Sequence, residues 1–220
     1  WKPVLPGADR LVSALRECEP GVVGVVLNVN PADTNVILGP ENHTLWGRDY
    51  LEEELCAYTF RLSVPSFFQI NQAQTERLYA VALDFAALTG RETVLDLYCG
   101  IGTISLALSR RAAKVIGAEI VPQAIQDARE NARRNGVENT EFFCGDAGTV
   151  AARLSGEGVR PQVICVDPPR KGLQPEVPAI LAGMAPERIV YVSCDPATLA
   201  RDVRRFGELG YRAVKAQGVD

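Results

Sequence analysis

Five residues of types that do chemistry recur along the chain, each at the end of an apolar run: Asp96, Glu119, Asp146, Asp167 and Cys194. The first lies in Thr93-Val-Leu-Asp-Leu-Tyr-Cys-Gly-Ile-Gly-Thr. Its β-branched and apolar residues read as a buried strand, and Asp96 sets a carboxylate at the strand's C-terminal end. Gly100 and Gly102 then make a turn in which backbone can approach a ligand closely. Ile104-Ser-Leu-Ala-Leu-Ser-Arg follows as a helix. Strand, glycine turn and helix are how an open α/β sheet holds a nucleotide-like ligand at its carboxyl edge. The dinucleotide fingerprint needs a third Gly where this chain has Ser105.

Glu119, at the end of a second strand, can accept from both hydroxyls of a ribose. Asp146, in Cys144-Gly-Asp-Ala, can accept from an adenine amino group. Asp167 ends a further strand in Val166-Asp-Pro-Pro-Arg-Lys-Gly. Each acid alone is equally a cap or a turn residue. Four of them at successive strand ends point to an adenosine ligand lying across the sheet edge. The Pro168-Pro169 pair fixes a turn without N–H donors and holds Asp167 and Arg170 outward. Cys194, in Val192-Ser-Cys-Asp-Pro-Ala-Thr-Leu-Ala-Arg-Asp, stands beside a helix N-terminus that favours a thiolate, and reads as a nucleophile. Cys144 and Cys165 read as buried structural thiols.

These residues need a scaffold, and the rest of the chain supplies one. Strands are expected at 93–97, 114–119, 140–143, 162–166, 188–193 and 211–216. Helices are expected at 104–111, 122–135, 149–154, 176–184 and 197–209. That alternation predicts an α/β fold with a parallel sheet covered on both faces. Before it, Asn71 with Gln74 is a helix-start signature for a helix running to about residue 88, with Leu78, Val81, Ala82 and Phe85 inward. Residues 1–60 read as β-rich: a helix at 9–18, strands at 21–29, 35–38 and 59–64, and an exposed acidic run at Glu52-Glu53-Glu54. We expect this segment to be the remnant of an upstream domain, packed on a main domain of residues 61–220.

Bulk composition narrows the classes. Apolar residues make up 47% of 220 residues, enough for a substantial core. No 18-residue apolar stretch exists to span a membrane, and no basic-apolar leader is visible. Because the chain starts at Trp1 and its only methionine is Met184, it reads as a piece of a longer protein. Six cysteines are dispersed with no C-x-x-C pair and a single histidine, so no metal site is predicted and a reducing cytoplasm fits. His43, in Pro40-Glu-Asn-His-Thr, reads as an exposed loop residue. Net charge is −4 but uneven: residues 1–60 carry four Lys/Arg against nine Asp/Glu. Arg170, Lys171, Arg201, Arg204 and Arg205 form a potential basic strip.

Four stretches in order carry a resemblance: Phe67-Phe-Gln-Ile-Asn, Asp96-Leu-Tyr-Cys-Gly-Ile-Gly-Thr, Asp167-Pro-Pro-Arg-Lys-Gly and Ser193-Cys-Asp-Pro-Ala-Thr-Leu-Ala-Arg-Asp. From about residue 22 to 220 the chain resembles the RNA uracil-C5 methyltransferase family. The resemblance implies a Rossmann-like class I methyltransferase sheet, S-adenosylmethionine as methyl donor and 5-methyluridine in RNA as product. It implies donor-binding positions at Gln69, Tyr98, Thr103, Glu119, Asp146 and Asp167, and Cys194 as nucleophile. Asp167 and Arg170 are expected partners for the uracil edge. The family's catalytic base, a Glu in a His-Val-Glu segment, would lie beyond Asp220. Asn35-Val-Ile-Leu-Gly and Thr44-Leu-Trp-Gly resemble the branch acting on 23S rRNA, so the expected protein is a cytoplasmic monomer with that RNA as partner. A tRNA T-loop enzyme and a non-catalytic RNA-binding fragment are the alternatives.

Overall fold

The computed structural model describes residues 5–33 and 37–219. Five parallel strands form the central sheet: β5 (Thr93–Leu97), β6 (Lys114–Glu119), β7 (Thr140–Cys144), β8 (Val163–Val166) and β9 (Arg188–Tyr191), in the order β7-β6-β5-β8-β9. Alternation within each strand splits the core in two, since successive side chains point to opposite faces. Val94, Val115, Val163 and Val190 pack on one face under α2 (Gln72–Ala86), α3 (Thr103–Ser109) and α4 (Pro122–Arg134). Leu95, Ile116, Ile164 and Val166 face the other side, under α5 (Ala147–Gly156), α6 (Val177–Gly183) and α7 (Pro196–Glu208). Strand order reverses between β5 and β8, which makes that crevice the topological switch point.

The Asn71 signal holds: its side chain accepts from the Gln74 N–H at 3.2 Å and starts α2. Of the expected inward residues, Ala82 is buried and Leu78 and Phe85 pack partly buried against the core, while Thr75, Tyr79 and Ala86 join Ala82 as the buried positions of α2. Tyr79 is drawn in because its hydroxyl finds a partner in Thr103, 2.7 Å away.

Ahead of the sheet lie α1 (Ala8–Cys18) and two antiparallel pairs, β1 (Gly24–Val29) with β2 (Glu41–Gly47), and β3 (Tyr50–Leu55) with β4 (Tyr58–Ser63). The partner of β1 is 41–47. Of the strand expected at 35–38, Asn35 and Val36 lie outside the described residues, and Ile37 and Leu38 are in no strand. His43 accordingly sits in a strand, half-buried, with Nε2 3.5 Å from Glu41 Oε2. The boundary expected at residue 60 falls inside β4, and Leu55 and Phe60 are fully buried in the main core.

A polar ladder fastens this hairpin. Asp127 and Asn131 on α4 and Asn135 at its C-terminal cap follow one another at i+4. They meet alternate residues of β4, because four helical residues rise about 6.0 Å and two strand residues about 6.8 Å. Asn135 accepts from Thr59 N–H (2.9 Å) and donates to Thr59 O (2.8 Å). The fully buried Asn131 accepts from Arg61 N–H (2.7 Å) and donates to Arg61 O (3.3 Å) and to Ile101 O (3.2 Å). Asp127 accepts from the hydroxyls of Ser63 (2.5 Å) and Ser66 (2.8 Å). The ladder thus ties β4 to the glycine turn and to the loop that carries Gln69.

The expected strand at 211–216 does not form: among the described residues this segment pairs with no strand. Instead the Tyr211 hydroxyl donates to Pro186 O at 2.9 Å, and Lys215 reaches Asp84 on α2 at 3.4 Å. No described helix is long and apolar enough to cross a membrane.

Candidate active site

At the carboxyl edge the sheet order fixes the order of the functional side chains: Asp146 after β7, Glu119 on β6, Asp96 and Tyr98 at β5, Asp167 after β8, Cys194 after β9. With strands ~4.8 Å apart, the row spans about 19 Å.

Its centre is the turn after β5. Tyr98 takes φ +68°, which is rare for a residue with a side chain, and Gly100 and Gly102 take φ +54° and +87°. The Cys99 N–H is held by Ala118 O and the Gly102 N–H by Cys99 O, so the turn is fixed in spite of that strain. A Cβ on Gly100 would meet nothing within 4 Å, so there is open space against this backbone. The half-buried Tyr98 hydroxyl is pushed up to about 12, first by burial and then by the charges of Asp146, Asp202, Glu176 and Glu119.

Asp96 is fully buried. Its Oδ2 accepts from the Ser105 hydroxyl at 2.5 Å, and its Oδ1 has no partner among the described residues. Ser105, where the dinucleotide fingerprint has its third Gly, therefore serves to hold this carboxyl. Burial drives Asp96 up to about 7; the Ser105 bond opposes, and the charges of Asp167 and Glu119 add to the rise. Burial likewise raises Asp167 to about 6. Among the described residues no cationic side chain forms an ion pair with either.

Glu119 accepts from the Val121 N–H (2.9 Å) and the Gly100 N–H (3.3 Å), one on each oxygen, which leaves a lone pair on each. Asp146 is the N-cap of α5 through Oδ1, with Gly148 N–H at 3.0 Å and Thr149 N–H at 3.2 Å. Among the described residues its Oδ2 has only Gln174, at 3.5 Å. One carboxylate can thus cap the helix and still offer an oxygen. Thr103 spends its hydroxyl on Tyr79, and Gln69 lies half-buried in the loop before α2.

Cys194 is exposed. Next to it Asp195 caps α7, accepting from the Ala197 and Thr198 N–H groups at 2.9 Å each. The Thr198 N–H leads the interactions that hold its carboxyl below the usual range. Arg170 is exposed on the loop after β8, and its carbonyl accepts from the Thr198 hydroxyl at 3.2 Å. The basic strip is smaller than its sequence indicates: Arg201 and Arg205 are committed to Asp202, and Arg204 to Glu208. Of the other thiols, Cys165 is buried as expected, whereas Cys144 is exposed at the end of β7, its Sγ 3.7 Å from Ile120 O.

Residues 32–211 match the family model of tRNA (uracil-5-)-methyltransferase. The chain belongs to that family. It is 49% identical over 98% of its length to an RNA methyltransferase of Lactiplantibacillus plantarum, of which it covers 48%. A Clostridium tetani RNA methyltransferase gives 48% identity over 98% of this chain and 47% of its own. The chain spans about half the length of the curated relatives it matches. Among solved structures, the Pyrococcus abyssi tRNA (uracil-54, C5)-methyltransferase in complex with S-adenosyl-L-homocysteine superposes with TM-score 0.67. It is 31% identical over 83% of this chain and 44% of that one. The fold is the Rossmann-like sheet of this class of methyltransferase.

Three residues of the site escape a reading of strand ends. Tyr79 and Asn131 act from helices, and Asp202 sits eight residues past Cys194. For Asn131 a signal was present, since amides and acids at i+4 on one helix face mark a polar seam.

Proposed function

We propose that this protein methylates C5 of a uridine in 23S rRNA, with S-adenosylmethionine as donor and Cys194 as covalent nucleophile. One observation carries the reading. Adenosine-type acceptors occupy the β7-β6-β5 half of the sheet edge, and an exposed thiol and a guanidinium occupy the β8-β9 half.

The donor suits the residues present. Asp96 Oδ1 is buried and unpartnered, and neither it nor Asp167 has a cation beside it, so a ligand bringing positive charge completes the set. Glu119 would accept the ribose hydroxyls and Asp146 Oδ2 the adenine amino group, with Gln69, Tyr98 and Thr103 lining the same half. When bound, S-adenosylmethionine supplies an electrophilic methyl group on a cationic sulfur.

Uracil C5 is a poor nucleophile, and the reacting half of the edge addresses that. Addition of Cys194 Sγ to C6 moves the C5–C6 π electrons toward the C4 carbonyl and makes C5 nucleophilic. Arg170 donates to the oxygen where charge develops. Asp167, kept partly protonated by burial, can hydrogen-bond the ring edge. Loss of the C5 proton at the end expels the thiolate and restores the C5–C6 double bond. Asp195 is a weak base for that proton, since the α7 cap bonds to its Oδ1 help hold its carboxyl below the usual range. The base must leave its stack to be reached.

A second reading, methylation of a tRNA uridine, draws support from the likeness to the Pyrococcus abyssi enzyme. Incubating the protein with labelled donor and total rRNA and tRNA, then mapping the labelled uridine, separates the two. Label in tRNA alone excludes 23S rRNA, and label in neither excludes the activity.

The donor assignment has its own check. A carboxylate accepting two hydroxyls makes charge-assisted bonds worth about 1.5–3 kcal/mol each. Glu119→Ala is expected to weaken S-adenosylmethionine binding by roughly 10- to 100-fold for each bond lost, measured by calorimetry. An unchanged affinity removes Glu119 from the donor site.

A further inference from the structure

The loop that carries Asp167 and Arg170 is gripped by α7, the helix that begins beside Cys194. Thr198, Arg201 and Asp202 lie at i, i+3 and i+4 and so share one face of that helix. Thr198 Oγ1 donates to Arg170 O at 3.2 Å. Arg201 Nη2 donates to Lys171 O at 2.8 Å and to Leu173 O at 3.3 Å. Asp202 Oδ2 accepts from the Leu173 N–H at 2.8 Å. Four carbonyl or amide groups of the loop, at residues 170, 171 and 173, are thus held from a single helix.

Asp202 is the joint of this arrangement. It is fully buried, and it also accepts from the Tyr191 hydroxyl at 2.8 Å, which brings in β9. Arg201 (2.9 Å) and Arg205 (3.1 Å) supply the balancing charge. A buried carboxylate whose lone pairs are all used specifies one arrangement, because every alternative strands a charge or a donor. The loop is shaped to the joint. Gly172 takes φ +71°, and a Cβ there would lie 2.5 Å from both Arg201 Nη2 and Asp202 Oδ2.

We propose that Asp202 is a positioning residue for the reaction. Through Leu173 and Arg201 it locks the Pro-Pro-Arg loop onto the helix of Cys194, so that Arg170 and Cys194 address the same base. This rests on the reading of Cys194 and Arg170 given above.

A double-mutant cycle tests it, read as the rate at which the protein forms a trapped complex with 5-fluorouridine-containing rRNA or tRNA in the presence of S-adenosylmethionine. Misplacing a reacting group by about 1 Å costs on the order of 10²-fold. Asp202→Asn is expected to slow trapping by about that factor in the parent protein, with donor affinity within about twofold. In an Arg170→Ala background the same change should cost under about threefold, since the group it positions is gone. A general loosening of the fold slows both backgrounds equally, and that result overturns the proposal. Should Asp202→Asn fail to fold, Arg201→Ala carries the same cycle, because it removes the bonds to Lys171 O and Leu173 O from a partly exposed side chain. A parent protein that traps no fluorinated RNA with either substrate overturns the assignment of the site itself, and the inference with it.

Discussion

Cys194→Ala is expected to abolish methylation of uridine and trapping on 5-fluorouridine RNA, a loss on the order of 10⁴-fold or more. S-adenosylmethionine affinity should stay within about twofold, because the residues proposed to bind it stand on the other half of the sheet edge. Stability should stay within about 0.5 kcal/mol, as for exposed positions generally. The exposed thiol packs in no core, and the start of α7 is secured by Asp195 and by Ser193, whose Oγ accepts from the Asp195 N–H at 3.1 Å. No other thiol of the parallel sheet and its turns is placed to substitute. Cys99 and Cys165 are buried, and burial pushes both thiols well up. Cys144 ends β7, at the far side of the sheet. A Cys194→Ala protein that still methylates uridine would rule out covalent catalysis by this residue.

The site could be read from sequence where function and backbone coincide. In a parallel sheet the residue after each strand is delivered to one edge, so Asp96, Glu119, Asp146, Asp167 and Cys194 were placed together by periodicity alone. Period and composition do not reveal what each side chain does besides. Asp146 is both a helix cap and a candidate for donor binding, and Asp195, beside the thiol, caps its own helix. Long-range polar contacts were the least visible. The Asn131 ladder joins residues 70 apart, and it fastens to α4 a strand, β4, that the expected boundary at residue 60 would divide. At 211–216 the alternation had the form of a strand, but a strand exists only where a neighbour completes its hydrogen bonds. The pairing of β1 with 41–47 has a similar origin. Val25 pairs with Trp46 and Leu27 with His43, a register set by partners and not by local apolarity.

The buried carboxyl of Asp96 gives the largest expected effect on stability. Its folded pKa is near 7, raised by burial from an ordinary value of 3.8, and Asp167 and Glu119 are the acidic neighbours that add to the rise. Between these two values the folded chain binds a proton that the unfolded chain has lost. Stability from this group is therefore complete below about pH 4 and is lost as pH rises to about 7. The shift corresponds to about 4 kcal/mol, of which about 2–3 kcal/mol falls between pH 5 and pH 8. Urea unfolding across that range should show the decline in the ligand-free protein and its loss in Asp96→Asn. A cationic ligand reverses the sense. It is held by the ionised carboxylate, so apparent affinity scales with the ionised fraction. For a group with a pKa near 7 that fraction rises about tenfold from pH 6 to pH 8. S-adenosylmethionine should bind about tenfold more tightly at the higher pH and release protons near pH 6.5, measurable by calorimetry in buffers of different ionisation enthalpy. In Asp96→Asn both the pH dependence and the proton release should be much reduced. Equal affinities at pH 6 and pH 8 in the parent protein would mean that the ligand's charge is not sensed by Asp96, and the buried acid would then be a feature of the fold alone.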